Sequence, residues 1–165
     1  MTARAPVGGP FSLTDHFGRV VTERTFLGRP ALLYFGFTHC RVVCPRALAR
    51  LSAALELAVA TPERIQPLLI SVDPERDTPA VLRAYCEAHH PRFLGLTGDR
   101  AAIEAMKLAY KVFARRVADA EDPQGYAVAH TAFSYLIGTD GGYVTHFTDV
   151  ADEQRIAATI ASAIA

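Results

Sequence analysis

The sequence predicts an α/β fold in which a mixed central sheet is flanked by helices, and three stretches carry that reading. Ala31–Phe37 is a nearly continuous apolar run, the pattern of a strand buried on both faces of a sheet. A helix follows from about residue 44 to 59, with Leu48, Leu51, Leu55 and Ala58 on one face and Arg46, Arg50 and Glu56 elsewhere. A second apolar run, Pro67–Val72, completes a strand–helix–strand unit, which implies parallel strands joined by a right-handed crossover. Later in the chain, Ala132–Ile137 and Tyr143–Phe147 flank Thr139-Asp-Gly-Gly142, a hairpin signal.

The remaining elements fall around these. Phe11–Thr22 reads as two short strands turning near Phe17-Gly18. Pro45 suits the first turn of its helix, where a missing N–H is harmless. A second helix starts at Pro79 with Asp77 or Thr78 as its cap, and places Leu82, Tyr85, Cys86 and His89 on one face. Phe93–Leu96 is a short strand. A third helix runs from about Asp99 to Phe113, with Ile103, Met106, Tyr110 and Phe113 at helical spacing. The last helix, about Asp152 to Ala163, turns Ile156, Ile160 and Ala163 inward. An N-terminal β-hairpin, a βαβ unit, two helices, a ββ hairpin and a helix make the plan of a thioredoxin-like fold. Residues 1–9 read as a flexible tail and 10–165 as a single domain.

Composition narrows the function classes. The 165 residues are 50% hydrophobic and 21% charged, which fits one packed domain rather than a disordered chain. Lys plus Arg and Asp plus Glu both number 17, so the basic footprint of a nucleic-acid binder is missing. Three cysteines are too few, and odd in number, for a disulfide scaffold. No apolar run reaches the ~18–20 residues of a spanning helix. Residues 1–10 have no apolar segment of the kind a signal peptide carries. The expectation is either a cytoplasmic protein or one whose targeting segment lies outside this sequence.

The strongest chemical signal is Thr38-His-Cys-Arg-Val-Val-Cys-Pro45, where a buried strand gives way to a helix. Ligands bind at such carboxyl ends of strands in open α/β sheets. Cys40 and Cys44 are one helical turn apart, so both sulfurs can face one side. Unpaired N–H groups and positive dipole charge at the helix start lower thiol pKa and favour thiolate. Soft sulfur ligands select Cu(I), zinc or iron–sulfur clusters. Structural zinc and clusters call for about four ligands, whereas two thiolates and one imidazole suit three-coordinate Cu(I). Against this stands the ordinary behaviour of buried cysteines as inert packing residues.

Tyr34-Phe-Gly-Phe-Thr-His-Cys-Arg-Val-Val-Cys-Pro45 resembles the signature of the Sco/SenC family. So do Ser71-Val-Asp-Pro-Glu-Arg-Asp-Thr-Pro79, His130-Thr-Ala-Phe-Ser-Tyr-Leu-Ile-Gly138 and the opening Gly9-Pro-Phe-Ser-Leu-Thr-Asp15. The resemblance covers the chain from about Gly9 to its end. It implies a thioredoxin-like copper metallochaperone for the CuA site of cytochrome c oxidase, with Cys40, Cys44 and His130 matching the copper ligands. The implied cargo is Cu(I) or Cu(II). The implied partners are the CuA-bearing oxidase subunit or another copper acceptor, and a thioredoxin-like reductant. The implied location is the periplasm, facing the inner membrane, through an anchor not in this sequence.

By the same resemblance, the Cys40–Cys44 pair is redox-active, able to form a disulfide, and the protein is a carrier rather than a turnover enzyme. The rival reading is a thioredoxin-like thiol–disulfide oxidoreductase or peroxidase without a copper role, in which Cys40 attacks and Cys44 resolves. The chain departs from the family pattern at Arg41 and Val42, where Pro and Asp are usual, and at Ala129, where Asp usually precedes the histidine. Neighbouring acids of this kind commonly tune metal affinity.

The other candidates read as structural. His39 adjoins Cys40, and adjacent side chains seldom converge on one centre. His89 and His90 close a helix, where a basic group complements the dipole. His146 reads as surface, Cys86 as core packing, and Asp73–Pro79 as turn and cap chemistry, with Asp73 at a strand end bordering the site. His16 has no assigned role. Met1 and Met106 are the only methionines, too few for a Met-rich copper relay.

Overall fold

The computed structural model describes residues 7–165. Most of the stretch read as a tail, residues 1–6, lies outside the described residues. Val7 packs against the core, and the Gly8 N–H donates to the Ala109 carbonyl at 2.7 Å.

Nine strands and four α-helices are present among the described residues. They run in the order β1 (Ser12–Asp15), β2 (Val20–Thr22), β3 (Ala31–Gly36), α1 (Val43–Leu57), β4 (Gln66–Ser71), α2 (Pro79–His89) and β5 (Leu94–Thr97). Then come α3 (Arg100–Tyr110), β6 (Ala114–Ala118), β7 (Tyr126–His130), β8 (Ser134–Ile137), β9 (Tyr143–Phe147) and α4 (Glu153–Ile164). A 3-10 turn at Glu23–Phe26 follows β2. Seven strands form one mixed sheet in the order β2-β1-β5-β4-β3-β8-β9. β3, β4 and β5 are parallel, and the outer pairings are antiparallel.

The central strands are buried along their whole length or nearly so, which explains their unbroken apolar runs. α1 buries Cys44, Ala47, Leu48, Leu51, Ala54 and Leu55. It packs beside α4, which turns Ile156, Ala157 and Ile160 inward. Thr78, not Asp77, caps α2 by accepting from the Val81 N–H. Asp99 and Asp152 cap α3 and α4 in the same way.

Two expectations need correction. α3 stops at Tyr110 because Lys111 takes a left-handed conformation (φ 58°), so Phe113 leaves the helical face and is exposed. The segment after α3 is a second sheet: β6 and β7 pair antiparallel, Ala114 opposite His130 through Ala118 opposite Tyr126. His130 therefore ends a strand of its own ribbon, ahead of the β8–β9 hairpin.

Candidate metal centre

Strand direction brings the site together. β3 runs to Gly36, and its antiparallel neighbour β8 starts at Ser134, which pairs with Tyr34. The link from β7 to β8 therefore crosses the same end of the sheet as the loop that follows β3. His130 and Cys44, 86 positions apart in sequence, meet there, with Nε2 3.4 Å from Sγ.

The helix start shapes the sulfur pair. Val42 occupies the cap position of α1 but supplies no side-chain cap bond. The Cys40 sulfur fills part of that role, accepting from the Cys44 backbone N–H at 3.3 Å. A backbone donor and the positive end of a helix thus both favour negative charge on this sulfur. The pair divides unequally. A hydrogen bond from the Cys44 thiol, helped by His130 and the backbone N–H groups of Cys44 and Val42, pulls Cys40 down to about 4 against its burial. The same bond to Cys40, then burial and the Cys40 charge, push Cys44 upward. Cys40 is partly exposed and Cys44 is buried; both are free thiols.

His130 is oriented by its own chain. Its Nδ1 lies 3.0 Å from the Thr131 carbonyl oxygen, which can only accept, so Nδ1 carries a proton, and Nε2 faces the cysteine pair. The rings of Phe37 and Tyr34 meet the imidazole edge-on, with centroids 5.8 and 6.3 Å away.

These three donors suit a soft cation. Their ligand atoms all lie within 4.8 Å of one another. With bonds of about 2.3 Å to sulfur and about 2.0 Å to nitrogen, donors around one ion stand roughly 3.5–4 Å apart.

Asp77 holds the loop before Cys40. Its carboxylate accepts from the Thr38 N–H at 3.1 Å, the Thr38 hydroxyl and the Ser71 hydroxyl at 2.8 Å. Burial pushes this carboxyl up, opposed by those bonds. Asp73 accepts from Arg76 and from the Tyr126 hydroxyl. His39 stands with Asp73 and Asp77, their ligand atoms also within 4.8 Å of one another. Both carboxylates there are engaged by protein donors.

The other sequence candidates lie apart from the cysteine pair. Cys86 is buried in the core. His90 packs among Tyr85, His89 and Phe93. His146 is exposed and stacks on Phe133. His16, without a role in the sequence, accepts the Gly95 N–H at 3.1 Å and ties the loop after β1 to β5.

Sequence reasoning missed the charged residues that hold the histidine ribbon. Arg76 bonds Asp73 at 2.6 Å, Asp122 at 2.8 Å and the Tyr126 carbonyl at 3.2 Å. Arg41, between the two cysteines in sequence, reaches Asp119 on the same ribbon at 2.7 Å. Pairs this distant in sequence leave no local periodic signal.

No helix among the described residues is long and apolar enough to cross a membrane. The chain is 40% identical over 141 residues to a SCO2-like protein of Rickettsia prowazekii, covering 86% of this chain and 69% of that one. It is also 40% identical over 158 residues to the human mitochondrial SCO1 homolog, covering 94% of this chain and 52% of the human protein. It thus spans only about half the human relative's length. Bradyrhizobium japonicum ScoI, solved with copper bound, superposes with a TM-score of 0.85 at 38% identity, covering 95% of this chain and 99% of that one. Arabidopsis thaliana ScoI, also with copper bound, gives a TM-score of 0.88 at 34% identity, covering 96% and 98%. The shared architecture is thioredoxin-like. The SCO1/SenC family model matches residues 1–165, and with that full-length match the chain belongs to the SCO1/SenC family.

Proposed function

We propose that this protein carries copper as cargo, held by the sulfurs of Cys40 and Cys44 and by Nε2 of His130, and passes it to the CuA site of cytochrome c oxidase or to another copper acceptor. The observation that carries the reading is the convergence of three soft or borderline donors within 4.8 Å at the end of the sheet. Relatives of the same fold that hold copper support it. Two thiolates and one imidazole favour Cu(I), and the absence of a fourth donor from this set leaves a side open to an incoming ligand. Cys40 is ionised in advance, and Cys44 gives up its proton as the ion binds. Delivery would take place on the periplasmic side of the inner membrane, as the family resemblance implies.

A second reading rests on the unequal sulfurs. The Cys40 thiolate would attack a partner disulfide, forming a mixed disulfide and releasing one partner thiolate. The Cys44 sulfur, its proton lost, would then attack Cys40, expel the second partner thiolate and close a Cys40–Cys44 disulfide. Two electrons pass to the partner, and a thioredoxin-like reductant would restore the pair. The two readings are compatible, since an acceptor's cysteines must be reduced before they take copper.

Anaerobic titration with Cu(I) against a coloured chelator tests the main reading. One equivalent should bind tightly to the wild type and fail to bind to Cys40→Ser/Cys44→Ser. Equal affinity in the two proteins refutes it.

A further inference from the structure

Tyr34 lies on β3 with none of its surface exposed. Its ring meets the His130 ring edge-on. Gly36, two residues along the strand, faces the same side. A Cβ built on it would lie 2.9 Å from the Cys44 sulfur and 2.9 Å from Cε1 of Tyr34. The glycine is therefore the gap in which the phenol ring and the inner sulfur approach each other. The Tyr34 hydroxyl is buried and has no hydrogen-bond partner among the described residues.

A buried hydroxyl without a partner destabilises the fold, and protein interiors rarely leave one. The cost makes sense if the partner appears in another state of the protein. The neighbouring group that changes is Cys44. As a thiol its sulfur is a weak acceptor. As a thiolate it is an ionised acceptor, and hydrogen bonds to ionised groups are roughly twice as strong.

We propose that Tyr34 is a positioning residue of the metal centre: its hydroxyl donates to the Cys44 sulfur once that sulfur is a thiolate holding copper. The inference rests on the copper reading above. It assigns the site a donor that is set in place before the cargo arrives, with its cost borne by the empty protein. Fold stability and copper affinity then pull in opposite directions at this residue.

Tyr34→Phe separates the two, because it removes the hydroxyl and keeps the ring. The metal-free variant should melt about 2–4 °C higher than wild type, the change expected for relief of one modest penalty in a domain of this size. Its Cu(I) affinity should fall about 10-fold, in the range seen when a partner of a metal ligand is lost. In the Cu(II)-loaded form, the thiolate-to-copper charge-transfer band should move to lower energy, because an unbonded thiolate gives up its electron more readily. A lower melting temperature in the metal-free variant, unchanged Cu(I) affinity or an unmoved band would each overturn the proposal. Failure of the wild type itself to bind Cu(I) would refute the copper reading and this inference together. Failure confined to the variant's shifts would refute only the role of Tyr34.

Discussion

The two sides of the candidate metal centre are built differently. The sulfurs sit where β3 runs into α1, against the core, and the loop between is fastened by Asp77 through Thr38 and Ser71. The imidazole stands at the end of β7, in a two-stranded ribbon that forms no ladder with the main sheet. Charge holds much of that ribbon. Arg76, its side chain 7% exposed, binds Asp73 on the body and Asp122 on the ribbon. The Tyr126 ring lies between the guanidinium groups of Arg76 and Arg116, 3.8 and 4.3 Å away. Two donors are thus fixed by packing, and the third stands on a ribbon held by these ionic contacts together with the packing of Val128 on the core.

The largest contrast should be chemical. Cys40, brought down to about 4 chiefly by the Cys44 thiol, should react with iodoacetamide at a nearly constant rate from pH 8 to 6 and slow only as pH nears 4. A depressed thiol pKa adds stability that is complete above the unfolded chain's value, near ~8.5, and is lost as pH falls through the folded value. Mass spectrometry of the metal-free, reduced protein would locate the modified sulfur. A reactivity midpoint near that of a free thiol would remove the distinction between the two sulfurs.

Copper affinity should rank the two sides next. Loss of either cysteine removes a thiolate from the fixed pair and should abolish tight Cu(I) binding. His130→Ala should weaken it by at least the 10- to 100-fold that follows loss of a ligand's supporting partner, roughly, while leaving two sulfurs able to hold the ion. Chelator competition measures both. A His130→Ala protein that binds as tightly as wild type would take the ribbon out of the site.

Arg76→Ala probes what holds the ribbon. Removing one member of a buried ion pair costs about 3 kcal/mol, since the remaining carboxylates lose their partner. Much of that cost should appear as local opening. Amide exchange at Val128 and its neighbours in β7 should accelerate far more than exchange in β3 or β4. Uniform acceleration across both sheets would mean that the ribbon and the body unfold together.

The same division decided what could be read from the sequence. Ala31–Phe37, the α1 face with Leu48, Leu51 and Leu55, and the Asp-Gly turn between β8 and β9 each repeat a local pattern, and the corresponding elements are present. β6 and β7 carry no such pattern. Arg115, Arg116 and the polar stretch from Asp119 to Gln124 give no strand signal, because most positions of both strands are half-buried or exposed and only Val128 is buried. Lys111 ends α3 in a left-handed conformation without the glycine that usually marks one. Cys40 and Cys44 announce themselves by spacing at a strand–helix junction, whereas His130 was legible only through its motif. Asp73 and Asp77 look like turn residues in one dimension, and only the fold reveals that they are buried anchors. Tyr34 is hidden inside an apolar run, where a hydroxyl leaves no trace in the periodicity.

The smallest effect is the most specific to this chain. Arg41 stands between the cysteines, and its guanidinium reaches Asp119 at 2.7 Å and Glu121 at 3.4 Å on the ribbon. Arg41 is the one residue of the cysteine loop, among the described residues, whose ion pairs join that loop directly to the ribbon carrying His130. Its side chain is 47% exposed, so the contact is worth no more than about 1 kcal/mol and is screened by salt. Arg41→Gln should therefore leave the fold intact and speed Cu(I) release to a chelator by about 2- to 5-fold at low ionic strength. Wild-type release should quicken as salt is raised from 0.05 to about 1 M, beyond which little screening remains to be gained, and the variant should respond weakly. Exchanging the charges, Arg41→Asp with Asp119→Arg, should restore both the slow release and its salt dependence. If the exchanged pair releases copper as fast as Arg41→Gln, the two sides of the centre are not coupled through this contact, and the ribbon is held by Arg76 and packing alone.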